Sequence, residues 1–586
     1  MPTSADHPTV TGTTVVISDV LVIGAGAAGL RAAIELAERD VDVLVLGKRK
    51  HGDAHTVWAA GGINAALGSL DPEDRWDIHA ADTINEGHYV NHAQAVETLA
   101  RHAPERIREL DRWGADFSKT ENGKINQRYF GAQSFRRTCF KGDITGRAIL
   151  EALVAQAKRL QIPYRQDTFI TKLLVNDGRA VGAVGYDMNT GAPLVFHARA
   201  VILAAGGNTS VYIRSSSRPD ENTGDAQALA YEAGVPLRDM EFVQFHPTGK
   251  LWPEEERGHL VTEAVRGEGG QLFNSEGERF MERYSPKQME LDARDVVARA
   301  NYTEIQAGRG TPNGGVWLDI SHRDSDYVRE RLPRMVAEFA AVGVDITEEP
   351  MEVAPTAHYA MGGVELDDFE TCETSVRGLF AAGESVAGVH GANRLGGNSL
   401  AETVVFGQIA GAHVGDHLPE RQPLPEAAVA EAVQALHDLA GANGTHTPEA
   451  LILELRQVMW DHAGIVRNEA GLLRGLAKLQ TIQRKAQDLL VSDALTSERF
   501  EWAINLGFML PTCEAILRSA LERTESRGAH YRDDHPAKDP AWRRNIRVVR
   551  DAEGRMALTT ADAVPPTEAV QQALAEEHEL DYHHLE

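Results

Sequence analysis

Residues 19–48 read DVLVIGAGAAGLRAAIELAERDVDVLVLGK: an apolar strand, a glycine-rich turn, an apolar helix and a second apolar strand. That succession is a βαβ unit. Its turn carries Gly24, Gly26 and Gly29 in GxGxxG spacing, with Ala27 and Ala28 before the last glycine. The first glycine permits the tight turn, the second lets a pyrophosphate approach the backbone, and the third lets helix and strand pack closely. The phosphates then rest on the helix N-terminus, where free N–H groups and the helix dipole favour anions. The unit predicts a dinucleotide site formed by Gly24, Gly26, Ala27, Ala28 and Gly29. The second strand ends in Gly47-Lys48, where an acidic residue would commonly hold the adenosine ribose. Lys48 is expected to touch the cofactor, and the ribose must find another partner.

Outward from this unit, strand-like runs recur at AVILAAGGN (200–208) and VRGLFAAGE (376–384). Strands alternating with helices argue for a parallel sheet covered on both faces. Residues 250–355 are more polar and interrupt the pattern, as an inserted domain would. Beyond Pro423 and Pro425 apolar positions recur at three and four residues, which predicts an antiparallel helical bundle. From about residue 529 the chain is polar with short strand-like pieces such as RRNIRVVRD, and it ends in the acidic run EEHELDYHHLE. The expected fold is α/β. It comprises a Rossmann-like dinucleotide domain (1–245 and 357–422, with a polar tail at 1–16), an inserted α+β capping domain (246–356), a helical bundle (423–528) and a small C-terminal domain (529–586).

The chain has 586 residues, more than one hydrophobic core usually holds. Its formal net charge of −27 should repel nucleic acid and anionic lipid. Arg and His gathered around an acidic substrate would be a local exception to that sign. The three cysteines, Cys139, Cys372 and Cys513, are far apart and form no CxxC pair, so they read as reduced thiols without metal or iron–sulfur ligation. No apolar run approaches the ~18 residues that span a bilayer, and the first residues do not read as a secretory signal.

Residues 54–68, AHTVWAAGGINAALG, resemble a segment of the flavoprotein subunits of succinate dehydrogenase and fumarate reductase, which carry a similar His-Thr-Val followed by Gly-Gly-Ile. Further segments follow in that family's order: FGAQS (130–134), NTGD (222–225), FHPTG (245–249), TEAVRGEGG (262–270), DARDVVAR (292–299), HYAMGG (358–363), GE (383–384), HGANRLGGNSL (390–400) and TESRGAH (524–530). The resemblance covers roughly residues 19–545. It implies FAD as cofactor, joined covalently to His55 at the flavin 8α-carbon. Gly61 and Gly62 would let the backbone lie close to the isoalloxazine, Ser399 and Leu400 would meet its pyrimidine end, and Thr56, Asp225, Glu384 and Asn398 would also touch the cofactor. Glu384 would also offer the ribose an acceptor that Gly47 lacks. Taken alone, His55 reads as a loop histidine and Asp225 as a helix N-cap.

The resemblance further implies a four-carbon dicarboxylate substrate. Burying two carboxylates is costly unless each meets donors. Arg394 has the planar fork to clamp one of them. His246, Thr262 and His358 would serve the other, with Phe130, Gln133 and Gly397 lining the pocket. The proton acceptor in oxidation would be Arg294, connected to solvent through Glu263 and Arg266. Without the resemblance, Arg294 reads as a helix-surface charge paired with Asp292 or Asp295. His246 and His358 fall where the insert begins and ends, so the site is expected at a domain interface.

The reading is the flavoprotein of a succinate:quinone oxidoreductase, working with membrane anchor subunits and an iron–sulfur subunit, peripheral on the cytoplasmic face of the cell membrane. The alternatives are fumarate reduction in the opposite direction, L-aspartate oxidase, and a flavin-binding scaffold without chemistry. L-aspartate oxidase usually reads ANRLASNSL and lacks the histidine tether; this chain has Gly396-Gly397 and His55.

Overall fold

The computed structural model describes residues 9–10, 12–491 and 494–576. The acidic C-terminal run, apart from its first residue, lies outside them.

Five short strands form the central parallel sheet: β1 (Val20–Ile23), β2 (Val43–Leu46), β3 (Tyr164–Arg165), β4 (Ala200–Leu203) and β5 (Leu379–Ala381). Their order is β5-β4-β1-β2-β3. Every residue of β1, β4 and β5 is buried, which is why these segments read as unbroken apolar runs rather than alternating ones. Helix α1 (Ala27–Ala37) follows β1 directly. At the turn between them Gly24 has φ +111°, and a Cβ there would sit 2.0 Å from the Ala204 carbonyl oxygen. Glycine at this position satisfies both the backbone conformation and the contact with the end of β4.

A second five-stranded sheet runs from residues 9–10 through Thr13–Ile17, Pro193–His197 and Arg179–Asp187 to Thr168–Asn176. The end of the expected polar tail is therefore structured. Thr13, Thr14, Val15, Val16 and Ile17 are all β-branched, and this strand pairs in parallel with Pro193–His197.

The insert has its own hydrophobic core, centred on Val261, Phe280, Leu318 and Val353. Its antiparallel sheet runs Val243–Lys250, Met351–Ala360, Val316–Asp319, Gln271–Phe273. The expected boundaries at 245/246 and 356/357 fall inside the first two of these strands, which pair with each other. The chain thus enters and leaves the insert on one two-stranded ribbon. Four helices, Glu426–Ala440, Pro448–Ala463, Glu469–Lys485 and Glu498–Glu522, make up the helical region. The C-terminal strand Arg544–Arg550 pairs with Leu237–Arg238 of the dinucleotide half, so this last segment is fastened to the main body by a sheet.

We expect Gly24→Ala to destabilise the protein by about 2–4 kcal/mol, through the close carbonyl contact and the positive φ together. The check is a lower Tm together with reduced flavin content after purification.

Candidate active site

One cleft runs from the β1–α1 turn past His55 to Arg294 and Arg394, enclosing about 1770 Å³ including its open mouth. Gly24, Gly26, Ala27 and Ala28 line its first part. Gly29 does not face it; a Cβ there would lie 1.9 Å from the Gly24 carbonyl oxygen, so this glycine serves the packing of helix on turn. The Ala27 N–H donates to Thr56 Oγ1 at 3.2 Å and ties the His55 segment to the start of α1. The N-terminus of α1 on the cleft wall and the cradle of small residues there fit a dinucleotide laid across the strand ends.

Beyond β2 the reason for Gly47 is visible. A Cβ there would lie 2.0 Å from Tyr164 Oη, and that hydroxyl donates to the Arg49 carbonyl at 2.6 Å. Tyr164 fills the space an acidic side chain would need. Lys48 Nζ reaches Asp225 Oδ2 (3.2 Å) and Asn505 Oδ1 (3.0 Å). Asp225 is the first residue of a helix whose N-cap is Gly224, so it does not cap the helix. Glu384 follows β5, three strand spacings or about 14 Å from the end of β2. It cannot substitute for the missing ribose acceptor at Gly47, which corrects that expectation. Its carboxylate instead accepts the Ala360 N–H at 3.1 Å and sits close enough to His55 to act on its charge.

His55 opens a short 3₁₀ turn, His55–Trp58, on the cleft wall. Its Nδ1 faces Glu221 Oε2 at 3.7 Å and its Nε2 faces Ser217 Oγ at 3.5 Å. Burial works against protonation of the ring, but Glu221 outweighs it and raises the histidine above its ordinary value. Glu221, itself paired with Arg218, is held ionised at about 2 although burial pulls it the other way. At Gly61 a Cβ would lie 2.3 Å from the ring of Phe130, so the two share one wall of the cleft. Gly62 likewise lines the cleft, with φ +150°.

The far end is cationic. Arg294, the first residue of α2 (Arg294–Glu304), is buried. It pairs with Glu263 Oε2 through Nε at 2.8 Å and Nη2 at 2.5 Å, and not with Asp292 or Asp295. Glu263 also accepts the Gly131 N–H at 2.8 Å. Burial favours its neutral form, yet Arg294, Arg266 and that N–H hold it ionised at about 2. Arg266 lies 3.8 Å from Glu263 and is fully buried, without a place on the cleft wall. Arg394 has no carboxylate partner among the described residues. Its Nη1 donates to Ser399 Oγ (3.2 Å), its guanidinium lies 4.5 Å from the Tyr359 ring centre, and its Nε is buried without a partner. Burial, reinforced by the charge of Arg294, pushes it down to about 9.

His246 and His358 come together because their strands are paired, with ring centres 5.1 Å apart. His358 is the extra residue of a bulge: Ala357 faces Phe245 and Tyr359 faces Gln244. Bulges of this kind re-aim side chains at active sites. His246 Nδ1 accepts the Thr248 N–H at 3.2 Å, so its proton sits on Nε2, which is buried without a partner. Burial and the nearby arginines keep both rings neutral. Thr262 completes this wall.

Ser399, Leu400 and Gly397 line the cleft at the start of α3 (Asn398–Asp416), where Gly397 has φ +86°. Two expected contacts turn away from it. Asn398 bonds to Asn64 and His79, and Gln133 spends its amide on Asn64, Thr138 and the Gly396 carbonyl. Both hold the loop that carries Arg394. The neighbouring Ala132 adopts φ +60°, a conformation glycine takes more easily. Glu221, Ser216 (2.8 Å from His358 Nδ1) and Gln244 (3.0 Å from Arg294 Nη1) were not among the expected residues. They lie outside the motif positions that carry the resemblance, and only Gln244, two residues before His246 on a strand, had a sequence signal.

A nucleotide cleft opening on a buried cationic end beside the insert fits a dinucleotide-dependent enzyme. An FAD binding domain family matches residues 19–400, and the fumarate reductase flavoprotein C-terminal family matches residues 452–576. The chain belongs to the succinate dehydrogenase/fumarate reductase flavoprotein family. It is 46% identical over 539 residues to one chain of the fumarate reductase (CoM/CoB) of Methanothermobacter marburgensis, covering 91% of this chain and 97% of that one. A mycobacterial relative, Mycobacterium smegmatis Sdh1, superposes with TM-score 0.84 at 41% identity, over 96% of this chain and 97% of that chain. An E. coli quinol fumarate reductase gives 0.88 at 35% identity, over 95% and 99%.

Arg394→Met should raise the Tm of the substrate-free protein by a few degrees, because a buried unpaired cation is replaced by an apolar side chain. The native protein should gain Tm on adding malonate or fumarate, and Arg394→Met should abolish that gain. A variant less stable than native that still responds to malonate would contradict this account of Arg394.

Proposed function

We propose that this chain is the catalytic flavoprotein of a succinate:quinone oxidoreductase, oxidising succinate to fumarate. The supporting observation is Arg394, a buried guanidinium lacking a carboxylate, on the same cleft as the Arg294–Glu263 pair. FAD, when bound, supplies N5 as hydride acceptor in oxidation and as donor in reduction. Arg394 clamps one carboxylate of the substrate. His246, through Nε2–H, receives the other with His358 and Thr262. Fixing both ends holds the central bond in line and removes on the order of several kcal/mol from the barrier.

Arg294 is the proton acceptor in oxidation and the donor in reduction. Glu263, ionised, keeps Arg294 in its cationic acid form and takes a proton from it only fleetingly. Arg266 adds a second cation beside Glu263. Neutral histidines suit this site, because the binding of a dianion then does not depend on their titration near pH 6.5.

His55 is the proposed point of covalent attachment, through the flavin 8α-carbon. Its Nδ1 faces Glu221, which leaves Nε2 as the nitrogen able to bond. The electrons leave one at a time to an iron–sulfur partner, since the three cysteines of this chain are all buried and far apart in sequence. Among the described residues no helix is long and apolar enough to cross a membrane. Attachment to the cytoplasmic face of the membrane would run through the iron–sulfur partner to its anchor subunits. A second reading, fumarate reduction, is favoured by the name of the 46% identical relative. The ratio of succinate oxidation to fumarate reduction by the purified complex, with quinones and with thiols as electron partners, separates the two.

For Arg294→Lys we expect turnover to fall by about 10²–10⁴-fold with dicarboxylate binding within a few-fold of native. Lost binding with surviving turnover would refute the assignment. For the tether, flavin fluorescence should stay with the acid-treated denatured band after electrophoresis and vanish in His55→Ala.

A further inference from the structure

The acid of the proposed reaction has a second neighbour whose polarity is fixed by the fold. Gln244 is fully buried, and its Nε2 spends both hydrogens, on Asn393 Oδ1 at 2.7 Å and on the Arg394 carbonyl at 2.8 Å. Its Oε1 is therefore the atom that meets Arg294 Nη1, at 3.0 Å. A flipped amide would set two donors against each other at Arg294 and desert both acceptors. Asn393 is fixed in the same way. Its Nδ2 donates to Glu86 Oε1 and to Asp295 Oδ1, each at 2.7 Å, so Oδ1 must face Gln244. The polarity of the chain is set at its far end, where Asp295 Oδ1 and Glu86 Oε1 both accept from Asn393, and is passed through two amides to a guanidinium.

We propose that Gln244 is a positioning residue for Arg294, with Asn393 and the Glu86–Asp295 carboxylates fixing its orientation. The inference rests on the assignment of Arg294 as the acid. Glu263 takes the Nε–H and one Nη2–H of Arg294, and Gln244 takes one Nη1–H. One N–H on each terminal nitrogen is left for the substrate side. Without Gln244 the guanidinium would be held along one edge only and would be free to swing about the Glu263 contact. Gln244 also links the acid to the main chain of the clamp residue Arg394, so the two arginines keep their relative placement. The carboxylate end of the chain opens on a second cavity of about 1490 Å³, lined by Glu86, Asp292, Asp295, Arg299 and Lys538. There Arg299 pairs with Asp295 at 2.7 Å, while burial and the neighbouring Asp295 raise Glu86 well above the usual carboxylate range.

The test uses the flavin-loaded protein with fumarate and succinate as substrates and malonate as a dicarboxylate without the reacting bond. Gln244→Met should lower kcat by about 10- to 100-fold, the usual effect of losing a supporting contact, with KM and malonate affinity within about threefold of native. Gln244→Glu is isosteric. Ionised, it still accepts from Arg294 but cannot donate to Asn393 or to the Arg394 carbonyl. Protonated, it can donate to one of them. Its kcat should therefore climb relative to native as pH falls, a signature that a merely structural contact would not give. Gln244→Glu decides alone if Gln244→Met does not accumulate folded. A kcat for Gln244→Met within about twofold of native would overturn the proposal. So would a Gln244→Glu pH profile parallel to native, or malonate binding lost in step with kcat. Native protein inactive on both substrates would refute the underlying function instead.

Discussion

The constraint on which the site depends is an imbalance of buried charge. Three buried arginines gather at this end of the molecule, Arg294 and Arg394 on the cleft wall and Arg266 behind it, and Glu263 is the carboxylate that pairs with the first and the last of these, Arg294 and Arg266. Removing cations from water costs several kcal/mol each unless something compensates. Glu263 compensates Arg294 fully and Arg266 in part. Arg394 is left with a hydroxyl and the ring face of Tyr359, whose own hydroxyl donates to Glu402 at 2.5 Å. The fold sustains this because its neighbours are rigid. Arg394 sits on a loop stitched by Asn64, Gln133 and Asn398, each fully buried and hydrogen-bonded to the others or to the Gly396 carbonyl. On the proposed function, a dianion entering the cleft would correct the imbalance, so affinity and selectivity would come from the same source.

The ribbon formed by Val243–Lys250 and Met351–Ala360 gives this end its geometry. It joins the insert to the nucleotide-binding body and carries Gln244, His246 and His358 on the way in and out. The bulge at His358 turns an imidazole towards its partner across the ribbon. Arg294 and Glu263 approach from the insert, while Arg394 approaches from the other body. Gln244 ties the acid on the insert to the main chain of the clamp residue, which holds the two arginines in one arrangement.

Much of this was legible in the sequence. The Gly24–Gly29 spacing, flanked by apolar runs, specified the β1–α1 turn, and the unbroken apolar runs of β4 and β5 specified a buried parallel sheet. Ordered motifs located Arg294, Glu263, Arg394 and the two histidines, whose spatial meeting the fold supplies. What was not legible depends on contacts between distant segments. Glu384 looked like a ribose acceptor because it follows a strand, but strand order places it on the wrong side of the fingerprint. Gln133 looked like a pocket residue because it sits in a pocket-lining motif, yet its amide is consumed by the loop behind the pocket. Gly47 looked like a gap in the nucleotide site until Tyr164, 117 positions later in the chain, proved to fill it. The β-branched run at residues 13–17 carried a strand signal that its polar surroundings obscured.

The global and local charges point in opposite directions, and the distances involved explain how both persist. A net charge of −27 surrounds a pocket built to hold an anion. Exposed charges more than about 8 Å apart are largely screened at physiological ionic strength, whereas buried charges are screened far less. The acidic surface therefore contributes little to the potential inside the cleft, where Arg294 and Arg394 lie in a low-dielectric setting. On the proposed function the substrate would be held by short contacts of fixed geometry rather than gathered by a long-range field. Such contacts would measure the separation of two carboxylates. That is what a site must do if it is to take a four-carbon diacid and reject a monoacid of the same size.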